Sequence, residues 1–325
     1  MISTEPIKFT ISEQANTILN KDAELFEFKK TNGSINKNKF YLQIFMNYYE
    51  QFLENNEAIQ NTLQKKYQIP NNQLCYALTE YIQDLTFIQT ESKKSVSARI
   101  KPTESTKYAI YEYTHKFQNS SFASCFTRLF SSYASLPLNQ RERIVFKEIF
   151  SKIEYAIENK KQIRFITTQQ KEHIAHVYSI ENSKEELFNY MFSKYDRMPH
   201  TNRITYIDYV EVLEEPSQFT NRDLRCFELS KKSPQFMMTN PNTMIKVQFN
   251  KHGIDMYNRI YLLRPEIYKI ENDIYYFQCS NEQAIQYFSK FWTNATVLSP
   301  KRVRDSIQSH LEKTLENYKR SENLQ

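Results

Sequence analysis

Glycine is nearly absent: Gly33 and Gly253 are the only two in 325 residues. Phosphate-cradling loops, dinucleotide fingerprints and nucleophile elbows need glycine where backbone approaches a ligand or turns sharply. Two isolated glycines cannot build them, which argues against the common nucleotide-binding and serine-hydrolase folds. Cysteine is sparse as well. Cys75, Cys125, Cys226 and Cys279 lie far apart with no paired spacing, which argues against a zinc site and a small disulfide scaffold. Reduced, mostly buried thiols in a cytoplasmic protein are the expectation. No apolar run is long enough to span a bilayer, and no apolar segment follows a basic start as a secretory signal would.

Catalytic signatures are missing too. His173 and His176 sit three apart on an expected strand, which puts them on opposite faces, so they cannot share an ion. Arg304 and His310 match the loose arginine–histidine spacing of one ribonuclease class, but they fall on an expected surface helix. We expect no catalytic residue, no metal and no cofactor.

What is present is a net charge of +6 and an aromatic content of 14%, carried by 23 Tyr, 23 Phe and one Trp. A mildly basic balance permits a polyanionic partner. Basic residues mixed with aromatics suit stacking on unpaired bases. Plentiful Lys, Asn, Ile, Tyr and Phe is also what an AT-rich genome writes, so composition alone carries little weight. The length allows roughly two to three domains.

The N-terminal region, residues 1–138, reads as one pattern used twice. Ile7-Lys8-Phe9-Thr10-Ile11 alternates as a strand. A helix opens at Ser12 and ends before Gly33, and Ser34 or Asn36 can cap a second with the stripe Phe40, Ile44, Phe45, Tyr48, Tyr49 and Phe52. Val96 to Ile100 is a second strand. Thr103 or Ser105 can cap a helix with Tyr108, Ile110, Tyr111, Tyr113 and Phe117, and another follows the break at Asn119-Ser120. Two further helical runs, about residues 55–94, bridge the copies across Pro70. Strand–helix–helix twice resembles a tandem ribbon-helix-helix region whose copies pair as a pseudo-dimer. In that family alternate strand side chains face nucleic acid, here Lys8 and Thr10 with Arg99 and Lys101. The second helix of each copy clamps phosphate at its N-terminus, here through Lys37 and Lys39, and through Ser120 and Ser121 in the other copy.

Residues 139–220 read as a connecting helix, Gln140 to Phe150, a helix through IFSKIEYAIENKKQ, and four closely spaced strands. These strands are Ile163–Ile166, Ile174–Ile180, Leu187–Phe192 and Ile204–Leu213. The order resembles the WYL domain, an Sm-like or SH3-like β-barrel of bacterial regulators. The fit is best in IEYAI…QIRF and TYIDYVEVLEEP. The name-giving triplet is Asn189-Tyr190-Met191 here, and Tyr206 and Tyr209 stand where the family carries two arginines. The resemblance implies a ligand or RNA site from His176, Tyr178, Tyr190, Lys194, Arg197, Arg203 and Tyr206. Period-two alternation makes at least one of Tyr206 and Tyr209 structural.

Residues 221–325 begin within a polar, proline-punctuated linker that runs from Glu215 to Thr243. They continue as βαββαβ plus a terminal helix, which suggests a ferredoxin-like α+β unit. TVLSPKRVRDSIQSHLEKTLENYK resembles the C-terminal extension of WYL proteins, which implies a homodimer. The full α+β arrangement resembles WYL-domain accessory proteins of type VI-D CRISPR–Cas systems. That resemblance implies a non-enzymatic cytoplasmic protein that binds single-stranded RNA, or DNA, and stimulates a CRISPR effector ribonuclease. The rival is a WYL transcription regulator that binds duplex DNA and senses a nucleotide.

Overall fold

The computed structural model describes residues 5–69, 72–88, 94–116 and 121–322. The chain is α+β, its sheets are antiparallel, and it forms two compact units, Met1–Lys147 and Glu148–Gln325.

The first unit runs β1 (Ile7–Ser12), α1 (Glu13–Leu25), α2 (Lys37–Tyr67), α3 (Asn72–Ile88), β2 (Ser95–Ile100), α4 (Lys107–His115), α5 (Phe122–Ser135) and α6 (Leu138–Val145). β1 and β2 form a two-stranded antiparallel ribbon. Alternation sends Phe9, Ile11, Ala98 and Ile100 inward. Phe9 stacks on Phe130 of α5, with ring centroids 5.1 Å apart. α1 starts where the Ser12 hydroxyl accepts from the Ala15 N–H at 3.1 Å. α2 starts where the Asn36 side chain accepts from the Lys39 N–H at 3.2 Å. Each such cap contributes about 1 kcal/mol.

The α2 stripe of Phe40, Ile44, Phe45, Tyr48 and Phe52 is buried, and each large apolar side chain contributes roughly 1.5–3 kcal/mol. α2 does not break near Asn55. Leu53 and Asn56 stay buried on the same face, and the helix stops only at Gln68, whose φ is 51°. α4 begins after Thr106 rather than after a cap at Thr103 or Ser105. Ser121 caps α5 through the Ser124 N–H at 3.2 Å, while Ser120 lies outside the described residues. α6 is tied back by Arg141, whose Nε and Nη2 hold buried Asp22 at 2.7 and 3.1 Å. The Tyr133 hydroxyl donates to the same carboxylate at 2.9 Å. Burial, then Asp22, pushes the Tyr133 hydroxyl well above its usual range.

The expected connecting helix Gln140 to Phe150 is broken at Phe146, between α6 and α7 (Lys147–Glu158). The second unit continues with β3 (Lys161–Thr167), β4 (Glu172–Asn182), β5 (Asn189–Tyr195), β6 (Met198–Arg203), β7 (Ile207–Pro216) and α8 (Asn221–Ser230). The five strands lie in the order β6-β5-β4-β3-β7. Bulges in the β4–β5 and β3–β7 ladders bend them. Among the described residues β6 and β7 form no ladder with each other, and a 3-10 turn, Ile204–Tyr206, joins them.

The expected single strand Ile204 to Leu213 is therefore β7 alone. β6 is an additional edge strand beyond the four expected. The expected linker also carries structure. Thr220 and Asp223 form a reciprocal capping box that starts α8. α8 seats Phe227 against Tyr178 and Phe192, with centroids 4.6 and 5.9 Å apart.

The remainder runs β8 (Ile245–Phe249), α9 (Lys251–Arg259), β9 (Ile267–Glu271), β10 (Ile274–Phe277), α10 (Asn281–Phe288), β11 (Ala295–Ser299) and α11 (Lys301–Glu322). Its sheet has the order β11-β8-β10-β9. Val247, Phe249, Phe277, Tyr287, Phe288 and Phe291 form its core. Gly253 is required here, because a Cβ would stand 2.1 Å from the Asn294 carbonyl oxygen.

Candidate nucleic-acid interface

The ribbon register decides what its outer face presents. Lys8 stands opposite Arg99, and Thr10 opposite Ser97, with all four side chains exposed. Two cations directly opposite on a ladder repel one another. They therefore weaken the ribbon unless an anion joins them. The end of β2 is pinned to α2: the Asn38 side chain accepts from the Lys101 N–H at 2.7 Å and donates to the Lys101 carbonyl at 3.2 Å. This brings the first turn of α2, which has no acidic residue, beside Arg99 and Lys101. Its free N–H groups and the helix dipole favour an anion there.

Gly33 adds a further cation. Its φ of 80° closes a turn in which its N–H donates to the Lys30 carbonyl at 2.9 Å. Lys8, Lys30, Lys37, Arg99 and Lys101 together line one groove of about 920 Å³. Asn16, Asn36 and Tyr41 complete part of its wall, and the described lining includes no carboxylate. Among the described residues none of the five cations makes an ion pair. Thr10 is exposed on the ribbon but lies outside this lining. Lys39 also lies outside it, with its Nζ 6.0 Å over the Phe28 ring. The sequence signal for Lys30 is the Lys29-Lys30 pair just before Gly33.

In the second unit most of the expected cations and tyrosines already have partners. Lys194 Nζ is 2.6 Å from Asp223, and both side chains are largely buried. Burial raises the Asp223 carboxyl, but Lys194 and Thr220 outweigh it and hold the group below its usual range. Tyr178 donates to Glu228 at 2.7 Å while stacked on Phe227. Tyr190 is buried and donates to Glu186. His176 Nδ1 accepts from the Gln218 N–H at 3.3 Å, and burial, then Lys194, lowers its pKa.

Arg197 sits on the turn between β5 and β6 with a φ of 65°. The Arg203 guanidinium lies 3.1 Å from the Phe188 ring centroid and 5.1 Å from that of Tyr206. Tyr206 and Tyr209 are both about half exposed. The alternation expected to bury one of them fails, because Tyr206 belongs to the 3-10 turn and β7 begins after it. His173 packs on Phe165 and Tyr195, away from His176. Arg304 and His310 are exposed on α11. Among the described residues no group of three or more His, Cys, Asp or Glu could hold a metal. Among them no helix is long and apolar enough to cross a membrane.

No protein-family model matches the chain, and no curated protein matches it. Among solved structures, one described as the crystal structure of a CRISPR Cas-related protein aligns with a TM-score of 0.71 at 17% identity. The match covers 98% of this chain and 95% of that one, so the two share a fold. The proteasome accessory factor B/C (PafBC) of Arthrobacter aurescens matches 68% of this chain and 37% of its own, at 12% identity. Its TM-score is 0.28, too slight a likeness to carry an argument.

Proposed function

We propose that the chain is a non-enzymatic, CRISPR-associated accessory protein of the cytoplasm that binds single-stranded RNA through its first unit. In this reading the first unit is a tandem ribbon-helix-helix pseudo-dimer. The five-stranded sheet is the WYL domain, and the four-stranded sheet is its ferredoxin-like extension. Binding RNA, the protein stimulates an RNA-guided ribonuclease of the type VI-D kind. The fold shared with a CRISPR Cas-related protein supports the setting. The observation that carries RNA binding is the groove of five cations that, among the described residues, make no ion pair and meet no carboxylate in its lining.

The test is fluorescence anisotropy with single-stranded RNA, single-stranded DNA and duplex DNA at two salt concentrations. Each neutralised phosphate contributes about −0.7 to the log–log salt slope on a single strand. Lys8→Ala with Arg99→Ala should therefore make the slope about 1.4 less steep. An unchanged slope and affinity would remove the groove from the binding site.

The ribbon also favours a second reading, because two-stranded ribbons fit the major groove of duplex DNA. A sequence-dependent preference for duplex would identify a transcription regulator instead. The reading includes a homodimer. β9 is an outer strand that exposes Tyr268 and Ile270, the kind of edge that pairs with another chain. Light scattering on wild type and Tyr268→Lys tests this, and a monomeric wild type would overturn it.

A further inference from the structure

The first unit carries a second groove beside the cationic one. α4 turns Tyr108, Tyr111 and His115 outward on one helical face, and Phe122 opens α5 beside them. Tyr108, Tyr111 and Phe122 are 63%, 45% and 52% exposed. A cluster of partly exposed rings on one face is the kind of patch that serves as an interaction site. With Pro6 and Ile7 they line about 800 Å³ of mostly apolar groove, and Glu5 is the one carboxylate in the described lining. Lys107 Nζ stands 5.5 Å over the Tyr108 ring, and the His115 ring lies 3.7 Å from that of Tyr111. Pro6 lines this groove and the cationic one alike, so the two meet at the start of β1.

We propose that this aromatic groove is the base-stacking half of a single-stranded RNA site whose phosphate half is the cationic groove. The inference rests on the RNA-binding reading above. A backbone held at Lys8 and Arg99 can turn its unpaired bases onto Tyr108 and Tyr111. Every base has a π-face, so such stacking tolerates sequence. A duplex hides those faces within its own stack. An apolar peptide would also fit a groove of rings. Continuity with five cations that make no ion pair among the described residues favours a polyanion that also carries flat apolar groups.

The experiment uses the full chain with labelled oligouridine and an abasic phosphodiester oligomer of equal length. Tyr108→Ala with Tyr111→Ala should weaken oligouridine binding about tenfold or more. Its salt slope should stay that of wild type, because rings release no counterions. The abasic oligomer should bind this variant and wild type equally, and Tyr108→Phe with Tyr111→Phe should restore oligouridine affinity. Both tyrosines are exposed, and matching thermal melts will show that the variants fold. Unchanged oligouridine affinity in the alanine variant, or an equal loss for the abasic oligomer, overturns the stacking site. If Lys8→Ala with Arg99→Ala also has no effect, the RNA reading fails with it. If that variant alone weakens binding, only the stacking site fails.

Discussion

The two units use positive charge differently. In the first, Lys8, Lys30, Lys37, Arg99 and Lys101 converge without an ion pair among the described residues. In the second, Lys194 is taken by Asp223 at 2.6 Å, Lys161 by Glu214 at 2.8 Å and Lys231 by Glu228 at 2.7 Å. Arg164 lies between Glu172 and Glu211 at 3.2 and 3.1 Å. A cation that already holds a carboxylate gains little from a phosphate, since binding would first have to break that pair. On the proposed reading, unsatisfied charge rather than charge itself marks where a polyanion binds.

Four measurements would break or sharpen that contrast. The largest effect belongs to Lys194→Ala, which leaves the Asp223 carboxylate largely buried without its cation. It should cost about 3 kcal/mol in chemical denaturation and leave RNA affinity unchanged. A loss of affinity in the folded variant would return the sheet to the binding site. Next is charge reversal at the ribbon. Lys8→Glu with Arg99→Glu should cut RNA affinity about 100-fold, or about 2.7 kcal/mol, with little change in melting temperature. Third is Arg203→Ala. Its guanidinium is stacked on Phe188, so RNA affinity should fall less than about twofold, a few tenths of a kcal/mol.

The smallest effect is pH dependence in the second unit. Burial, reinforced by Lys194, holds the His176 imidazole below 6.5, and burial does the same for His200. As pH falls through 6.5 the unfolded chain takes up these protons before the folded chain does. Stability is therefore lost on acidification. His176→Gln should flatten the melting curve's pH dependence; an unaltered curve would show that His176 does not contribute.

Much of the first unit was legible in the sequence because its signals are local and agree. Ile7 to Ile11 alternates, Ser12 and Asn36 cap, and Gly33 turns the chain. Four of the six residues expected to face nucleic acid there, Lys8, Lys37, Arg99 and Lys101, share one groove. Lys30 did not stand out, because only the folded turn at Gly33 aims it. The second unit hid more. β6 has no apolar alternation and contains Pro199, which an edge strand tolerates. Its hairpin turn uses Asp196 and Arg197, both at positive φ, without the glycine that usually announces such a turn. α8 was announced only by Thr220 and Asp223. Nothing local indicated that Asp223 would neutralise Lys194, a partner 29 positions away.

The shortage of glycine has a consequence for the protein's melting point. Eleven described residues other than glycine stand at positive φ, where a side chain crowds its own backbone by about 1 kcal/mol or more. Gln68 and Lys160, just past the ends of α2 and α7, have φ of 51° and 52° and exposed side chains. Helix ends of this kind ordinarily carry glycine. The native topology therefore sits below the thermal tolerance its own backbone path would permit, and both positions are open to engineering that leaves the two grooves untouched.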